Sequence, residues 1–270
     1  MRLLDGDVPL AVGDSGEGVA VVGLHGLTAT HRYVVMGSRA LERGGHRLLL
    51  YDARGHGESE PAPAYGYPEL TDDLERVMDD ADIEQAVIAG VSMGAHTALR
   101  FALGHPDRVL ALALITPGYD PDSHPAGLEL WDALAQALRE RGAEGFVEVS
   151  AAATAELPER WREVVVESLR QRLAGHRHLA AVADALSAVP RSRPFEAFAD
   201  LAEIEVPAIV LGSQDEPDPG HPLTLARRYA DAIPGARLLV EAPGESPLAW
   251  QGGRLSRAIA EVAAQSAPLR

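Results

Sequence analysis

Gly90-Val91-Ser92-Met93-Gly94 stands between a largely apolar run, Gln85-Ala86-Val87-Ile88-Ala89, and a stretch of helical character, Ala95-His96-Thr97-Ala98-Leu99-Arg100-Phe101-Ala102-Leu103. A strand, a turn built on G-x-S-x-G and a helix then follow one another without a spare residue. So abrupt a turn forces the serine into a strained backbone, and glycines two residues to either side relieve the crowding. The hydroxyl of Ser92 is thereby expected at the carboxyl end of a sheet, over a helix N-terminus that offers backbone N–H groups to an anion.

Working outward, the flanking segments repeat the same rhythm. Val19-Ala20-Val21-Val22-Gly23-Leu24 is a continuous apolar run ending in His25-Gly26, and His46-Arg47-Leu48-Leu49-Leu50-Tyr51 leads into Asp52-Ala53-Arg54-Gly55-His56-Gly57-Glu58-Ser59. Val109-Leu110-Ala111-Leu112-Ala113-Leu114-Ile115, Pro207-Ala208-Ile209-Val210-Leu211-Gly212 and Ala236-Arg237-Leu238-Leu239-Val240 complete the set. Runs this apolar read as parallel strands buried on both faces. Between them, helices are predicted over Tyr33 to Arg43, Glu69 to Ala81 and Gly253 to Ala264, and residues 1–18 read as one or two edge strands. Alternating strands and helices give a mostly parallel, twisted sheet covered on both faces.

The rhythm breaks between Asp120 and about Asp200, where only helical patterns occur. Leu128, Trp131, Leu134 and Leu138 share one stripe; Trp161, Val164, Val165, Leu169 and Leu173 share another after Pro158. These stripes read as packing faces. The expected organisation is a core of residues 1–119 and 201–270 with a helical cap, 120–200, inserted over it.

Composition bounds the partners. A net charge of −16 argues against nucleic acid and against an anionic membrane surface. No cysteine is present, which excludes disulfides, thiolate nucleophiles and zinc–thiolate sites. The histidines show neither H-x-H nor H-E-x-x-H spacing, and no glycine-rich loop has the dinucleotide or P-loop pattern, so no metal and no cofactor are expected. There is no run of about eighteen apolar residues to span a membrane, and Met1–Asp7 has no long apolar stretch to act as a signal peptide. A cytoplasmic protein with a small-molecule substrate or ligand is the expectation; the sequence sets no oligomeric state.

Taken together, Gly90–Gly94, His25-Gly26 after the first buried run, and Asp52-x-Arg54-Gly55-x-Gly57-x-Ser59 resemble the α/β-hydrolase superfamily, in its cap-bearing esterase, lactonase and haloperoxidase-like branch. The resemblance covers about residues 8 to 262. It implies the α/β-hydrolase fold, with the Gly90–Gly94 turn as its nucleophile elbow. Ser92 would be the nucleophile, flanked by Gly90 and Gly94. The N–H groups of Leu27 and Met93 would form the oxyanion hole, with His25 and Gly26 fixing the Leu27 loop. The G-x-x-D pattern Gly212-Ser213-Gln214-Asp215 would supply the orienting acid, Asp215, with Asp120 as a fallback.

One departure stands out. The family carries its base as a histidine in the loop after the last strand, where this chain reads Val240-Glu241-Ala242-Pro243-Gly244-Glu245-Ser246, and no histidine occurs beyond His221. Glu245 occupies the expected position, giving a degenerate triad. A carboxylate near pKa 4.3 is a weak base for a serine hydroxyl unless burial or a neighbouring Asp215 raises it. His221, six residues after Asp215, is the alternative base. His25 and His96 read as packed near the site, His31 and His56 as loop residues able to face the cleft, and His105, His176 and His178 as surface residues. Three readings follow: a hydrolase of a small, fairly apolar ester or lactone with an altered base; a ligand-binding pseudoenzyme; or an enzyme using Glu245 and Asp215 for proton transfer in a cyclisation, elimination or decarboxylation.

Overall fold

A computed structural model describes residues 1–214, 220–242 and 250–266, apart from the side chain of Arg160. Eight strands form one sheet: β1 (Arg2–Leu4), β2 (Leu10–Ser15), β3 (Val19–Leu24), β4 (His46–Tyr51), β5 (Ala86–Val91), β6 (Val109–Ile115), β7 (Ala208–Gly212) and β8 (Arg237–Val240). Their order is β1-β2-β4-β3-β5-β6-β7-β8. The first two strands run antiparallel at one edge, and the other six are parallel. The parallel connections need crossover helices, and these supply the two covering layers.

Alternation along each strand decides which layer a residue meets. Val22, Ile88, Leu112 and Val210 face α3 (Tyr67–Asp80), α4 (Met93–Gly104) and α8 (Leu223–Ala232). Val21, Val87, Ala111 and Ile209 face α1 (Arg32–Val35), α2 (Ala40–Arg43) and α9 (Gly252–Gln265). All eight of these strand residues are fully buried, so each apolar run is sandwiched, as its lack of alternation implied.

Between β6 and β7 the described elements are helices only: α5 (Leu128–Ala153), α6 (Glu159–Leu173), α7 (Leu179–Ala188) and two 3-10 turns, Val189–Arg191 and Phe198–Glu203. Helix α5 bends at Gly142, whose φ of 65° departs from helical geometry. Leu134, Leu138, Phe146, Leu173, Val182 and Leu186 form a separate apolar cluster here, joined to the rest of the molecule partly through Leu27.

Two expectations need correction. The single helix predicted over Tyr33 to Arg43 is two short ones, because Met36 and Gly37 take left-handed backbone, φ 46° and 71°. Val164, counted in a packing stripe, is 40% exposed, because α6 lies on the outside of its layer. Among the described residues, no helix is long and apolar enough to cross a membrane.

Candidate active site

The strand ends set the site. His25 follows β3, Asp52 follows β4, Ser92 follows β5 and Ser213 follows β7, so their side chains gather along one rim of the sheet. Ser92 has φ 50° and ψ −110°, the strained conformation that its turn demands. A Cβ on Gly90 would lie 2.2 Å from the carbonyl oxygen of Gly94, and one on Gly94 would lie 2.4 Å from that of Leu24. Both positions therefore accept only glycine, and the helix N-terminus is drawn directly under the serine. Met93 begins α4, so its N–H has no intrahelical acceptor.

The loop after β3 lies against this turn. A Cβ on Gly26 would stand 3.3 Å from the carbonyl oxygen of Val91 and 3.5 Å from Ser92 Cβ, so the backbone leading into Leu27 runs in contact with the serine. His25 holds that loop: its Nε2 accepts from the Ala53 N–H at 2.9 Å, which makes Nδ1 the donor to the Gly26 carbonyl at 2.8 Å. Burial pushes the His25 imidazole down to about 4, so it remains neutral.

A second ring braces the same loop from the helical layer. His176 accepts the Gly57 N–H at Nδ1 (2.8 Å) and donates from Nε2 to the Thr28 carbonyl (2.8 Å). It was expected at the surface; instead it joins the loops after β3 and β4, and burial lowers its pKa. His56 does not face a cleft either. It is 1% exposed, donates from Nδ1 to the Arg54 carbonyl at 3.0 Å, and packs between the rings of His25 and His176. His31 donates from Nδ1 to Asp52 Oδ1 at 2.8 Å. Burial pushes the Asp52 carboxyl up, but the hydrogen bonds from the His31 ring and backbone, with the nearby His25, outweigh it and hold it at about 2.

The base position is where structure and sequence order part. His221 Nε2 lies 2.8 Å from Ser92 Oγ, hydrogen-bond distance for the pair. His221 comes from the connection between β7 and α8, one strand earlier than the loop in which the histidine was sought. Glu245 and Asp215, the expected base and orienting acid, lie outside the described residues. Asp120, the fallback acid, accepts both its contacts with Arg228 Nη1 at 3.1 Å.

Two further residues were missed in the sequence. Glu241 closes β8 and is 1% exposed; its Oε1 accepts from Ser213 Oγ at 2.7 Å and from the Gln214 N–H at 2.6 Å. It thereby ties down the start of the connection that carries His221. The available signal was an acidic residue ending an apolar strand on the functional rim. Gly118, after β6, faces the His221 ring, and nothing in its sequence context marks it. Among the described residues, no group of three or more His, Cys, Asp or Glu side chains could hold a metal ion.

A strained serine over a helix start, with the Gly26 backbone in contact with it and an imidazole on its hydroxyl, is what the strand ends of this sheet bring together. The family model described as the alpha/beta hydrolase fold matches residues 19–252, and the chain belongs to that family. It is 31% identical over 251 residues to a 2-hydroxy-6-oxononadienedioate/2-hydroxy-6-oxononatrienedioate hydrolase of Cupriavidus pinatubonensis, covering 87% of this chain and 83% of the relative. Two other relatives are matched over only 49% and 39% of their own lengths. Among solved structures, a thermophilic esterase from Thermogutta terrifontis superposes with a TM-score of 0.78 at 25% identity, covering 96% of this chain and 94% of that one. The enol-lactonase from Burkholderia xenovorans LB400 gives 0.74 at 25% identity, with 98% of each chain covered.

Proposed function

We propose that the chain is a carboxylic ester hydrolase acting on a small, fairly apolar ester or lactone, with Ser92 as nucleophile and His221, rather than Glu245, as its base. The observation that carries this is the 2.8 Å approach of His221 Nε2 to Ser92 Oγ at a strained turn. As Oγ attacks the carbonyl carbon, its proton passes to Nε2, and the N–H groups of Leu27 and Met93 receive the developing oxyanion. Collapse of the tetrahedral adduct expels the alkoxide, which takes the proton back from His221 and leaves an acyl-serine. Water, deprotonated by the same nitrogen, then releases the acid.

In this reading Asp215, on the same connection as His221, orients the imidazole, and the helices between β6 and β7 act as the cap that shapes the substrate pocket. Leu27, partly exposed beside the serine turn and packed against the cluster of Leu134, Leu138 and Leu186, supports an apolar acyl or alcohol portion. The esterase and enol-lactonase likenesses point to the same bond class, and the relative that hydrolyses a 2-hydroxy-6-oxo dienedioate points to substrates bearing a ketone.

The test is covalent. A fluorophosphonate probe labels the native protein at Ser92, and Ser92→Ala abolishes both labelling and p-nitrophenyl ester hydrolysis, the latter by about 10⁶-fold. Unchanged hydrolysis in Ser92→Ala would refute the assignment.

A further inference from the structure

One imidazole sits where it touches neither the serine hydroxyl nor solvent, yet reaches the base through a single residue. His96 lies four residues beyond Ser92 on α4, and its N–H donates to the Ser92 carbonyl at 3.1 Å. Its ring Nε2 accepts two backbone N–H groups at once, from Gly118 at 2.9 Å and from Tyr119 at 3.0 Å. That makes Nδ1 the protonated nitrogen, donating to the Tyr67 hydroxyl at 2.8 Å. The ring is 5% exposed, and every polar atom on it is engaged.

The segment so held is the one His221 rests against. A Cβ built on Gly118 would come within 2.7 Å of His221 Cδ2, 3.3 Å of His221 Nε2 and 3.0 Å of the Gly220 carbonyl oxygen. Gly118 has no left-handed backbone to explain its identity. Its missing side chain is the space that the base imidazole occupies.

We propose that His96 is a positioning residue, which through the Gly118–Tyr119 backbone forms a fixed shelf that keeps the His221 imidazole on Ser92. One helix and its N-cap then carry both the nucleophile and the group that sets its base, so the distance between them is defined by α4 rather than by the connection on which His221 arrives. The shelf needs His96 as a neutral acceptor. Burial, with the facing His221 adding to it, pushes its imidazole down to about 3, so the acceptor persists wherever the base itself can work.

The inference rests on His221 being the base, so His221→Ala is measured alongside. The full-length protein and His96→Leu, His96→Gln and Gly118→Ala variants are assayed with a p-nitrophenyl ester for kcat and KM across pH, and for the rate of fluorophosphonate labelling. Displacing the base by about 1 Å costs roughly 100-fold. That loss is expected in kcat for His96→Leu and Gly118→Ala, with KM changed by less than about threefold and the acid limb of the pH profile shifted. His96→Gln keeps an acceptor and a donor in the side chain and is expected to recover at least about tenfold of the loss. Gly118→Ala tests whether the base rests on this segment, and His96→Gln, set against the parent, tests the part of His96 if His96→Leu does not fold.

Parental kcat and pH profile in a folded Gly118→Ala protein, together with a dead His221→Ala, would overturn the shelf and leave the base assignment standing. Full activity in His221→Ala would overturn both.

Discussion

The two ends of the functional rim are built differently. Around β3, β4 and β5 the loops are bound to one another through histidine rings with both nitrogens engaged, as in His25 and His176. Around β7 and β8 the described anchors are one carboxylate, Glu241, and the indole of Trp250, which donates to the Gly212 carbonyl at 2.9 Å. In the proposed reaction the first region holds the nucleophile and oxyanion donors, whose backbone must be placed within fractions of an ångström. The second delivers the proposed base, which needs only one ring nitrogen at a hydroxyl. A backbone constraint ties function to a sequence position; a single-atom constraint leaves open which loop meets it.

The contrast can be broken first on the rigid side. Arg54 makes a two-pronged pair with Asp73, at 2.7 and 2.9 Å, and also donates to the carbonyls of Ala64 and Glu69. Burial pushes the Asp73 carboxyl up while Arg54 pulls it back. Replacing Arg54 with Met leaves the buried Asp73 carboxylate with Arg76 alone, at 3.3 Å, and urea denaturation should show a loss of about 3 kcal/mol. A loss below about 1 kcal/mol would mean that this region tolerates loosening as readily as a surface pair does.

Acid offers a graded version. His25, His56, His96 and His176 all have lowered pKa values in the fold, to about 4 for His25 and about 3 for His96. The unfolded chain takes up their protons near pH 6.5 while the native protein does not. Stability therefore falls as pH drops below about 6.5, by at most about 1.4 kcal/mol per pH unit for each histidine, until its folded pKa is reached. Asp52, held at about 2, adds a further loss only below about pH 4. Chemical denaturation at a series of pH values should show this slope, and His56→Leu should reduce it by about one histidine's share. A flat profile between pH 6.5 and 4.5 would contradict the neutral histidine cluster.

The smallest effect belongs to the other end. Glu241→Gln keeps an oxygen for Ser213 and Gln214 but removes the charge, and should cost about 1 kcal/mol of stability with less than about tenfold in kcat. A loss as large as that of Arg54→Met would show both ends to be equally rigid.

The sequence was legible where a backbone rule applied. The G-x-S-x-G turn, the fully apolar strands and the two-sided covering of the sheet all follow from steric crowding and burial, and β3 and β4 fall on the residues predicted for them. The break at Met36 was not legible, since left-handed backbone at a methionine leaves no local signature. Nor was the bracing role of His176, because its partners, Gly57 and Thr28, lie 119 and 148 residues away. The approach of His221 to Ser92 spans 129 residues. Its sequence shows only a histidine before Pro222 at a helix start, for which a solvated position is the ordinary reading.

The most direct measurement sets His221→Ala against Glu245→Gln in the same protein, following the rate of Ser92 labelling by a fluorophosphonate and ester turnover across pH 5 to 9. With His221 as the base, His221→Ala should lower turnover by about 10⁴-fold or more, while Glu245→Gln stays within about tenfold of the parent. The reverse pattern, a near-silent His221→Ala and an inactive Glu245→Gln, would contradict the account and return the base to the loop after β8.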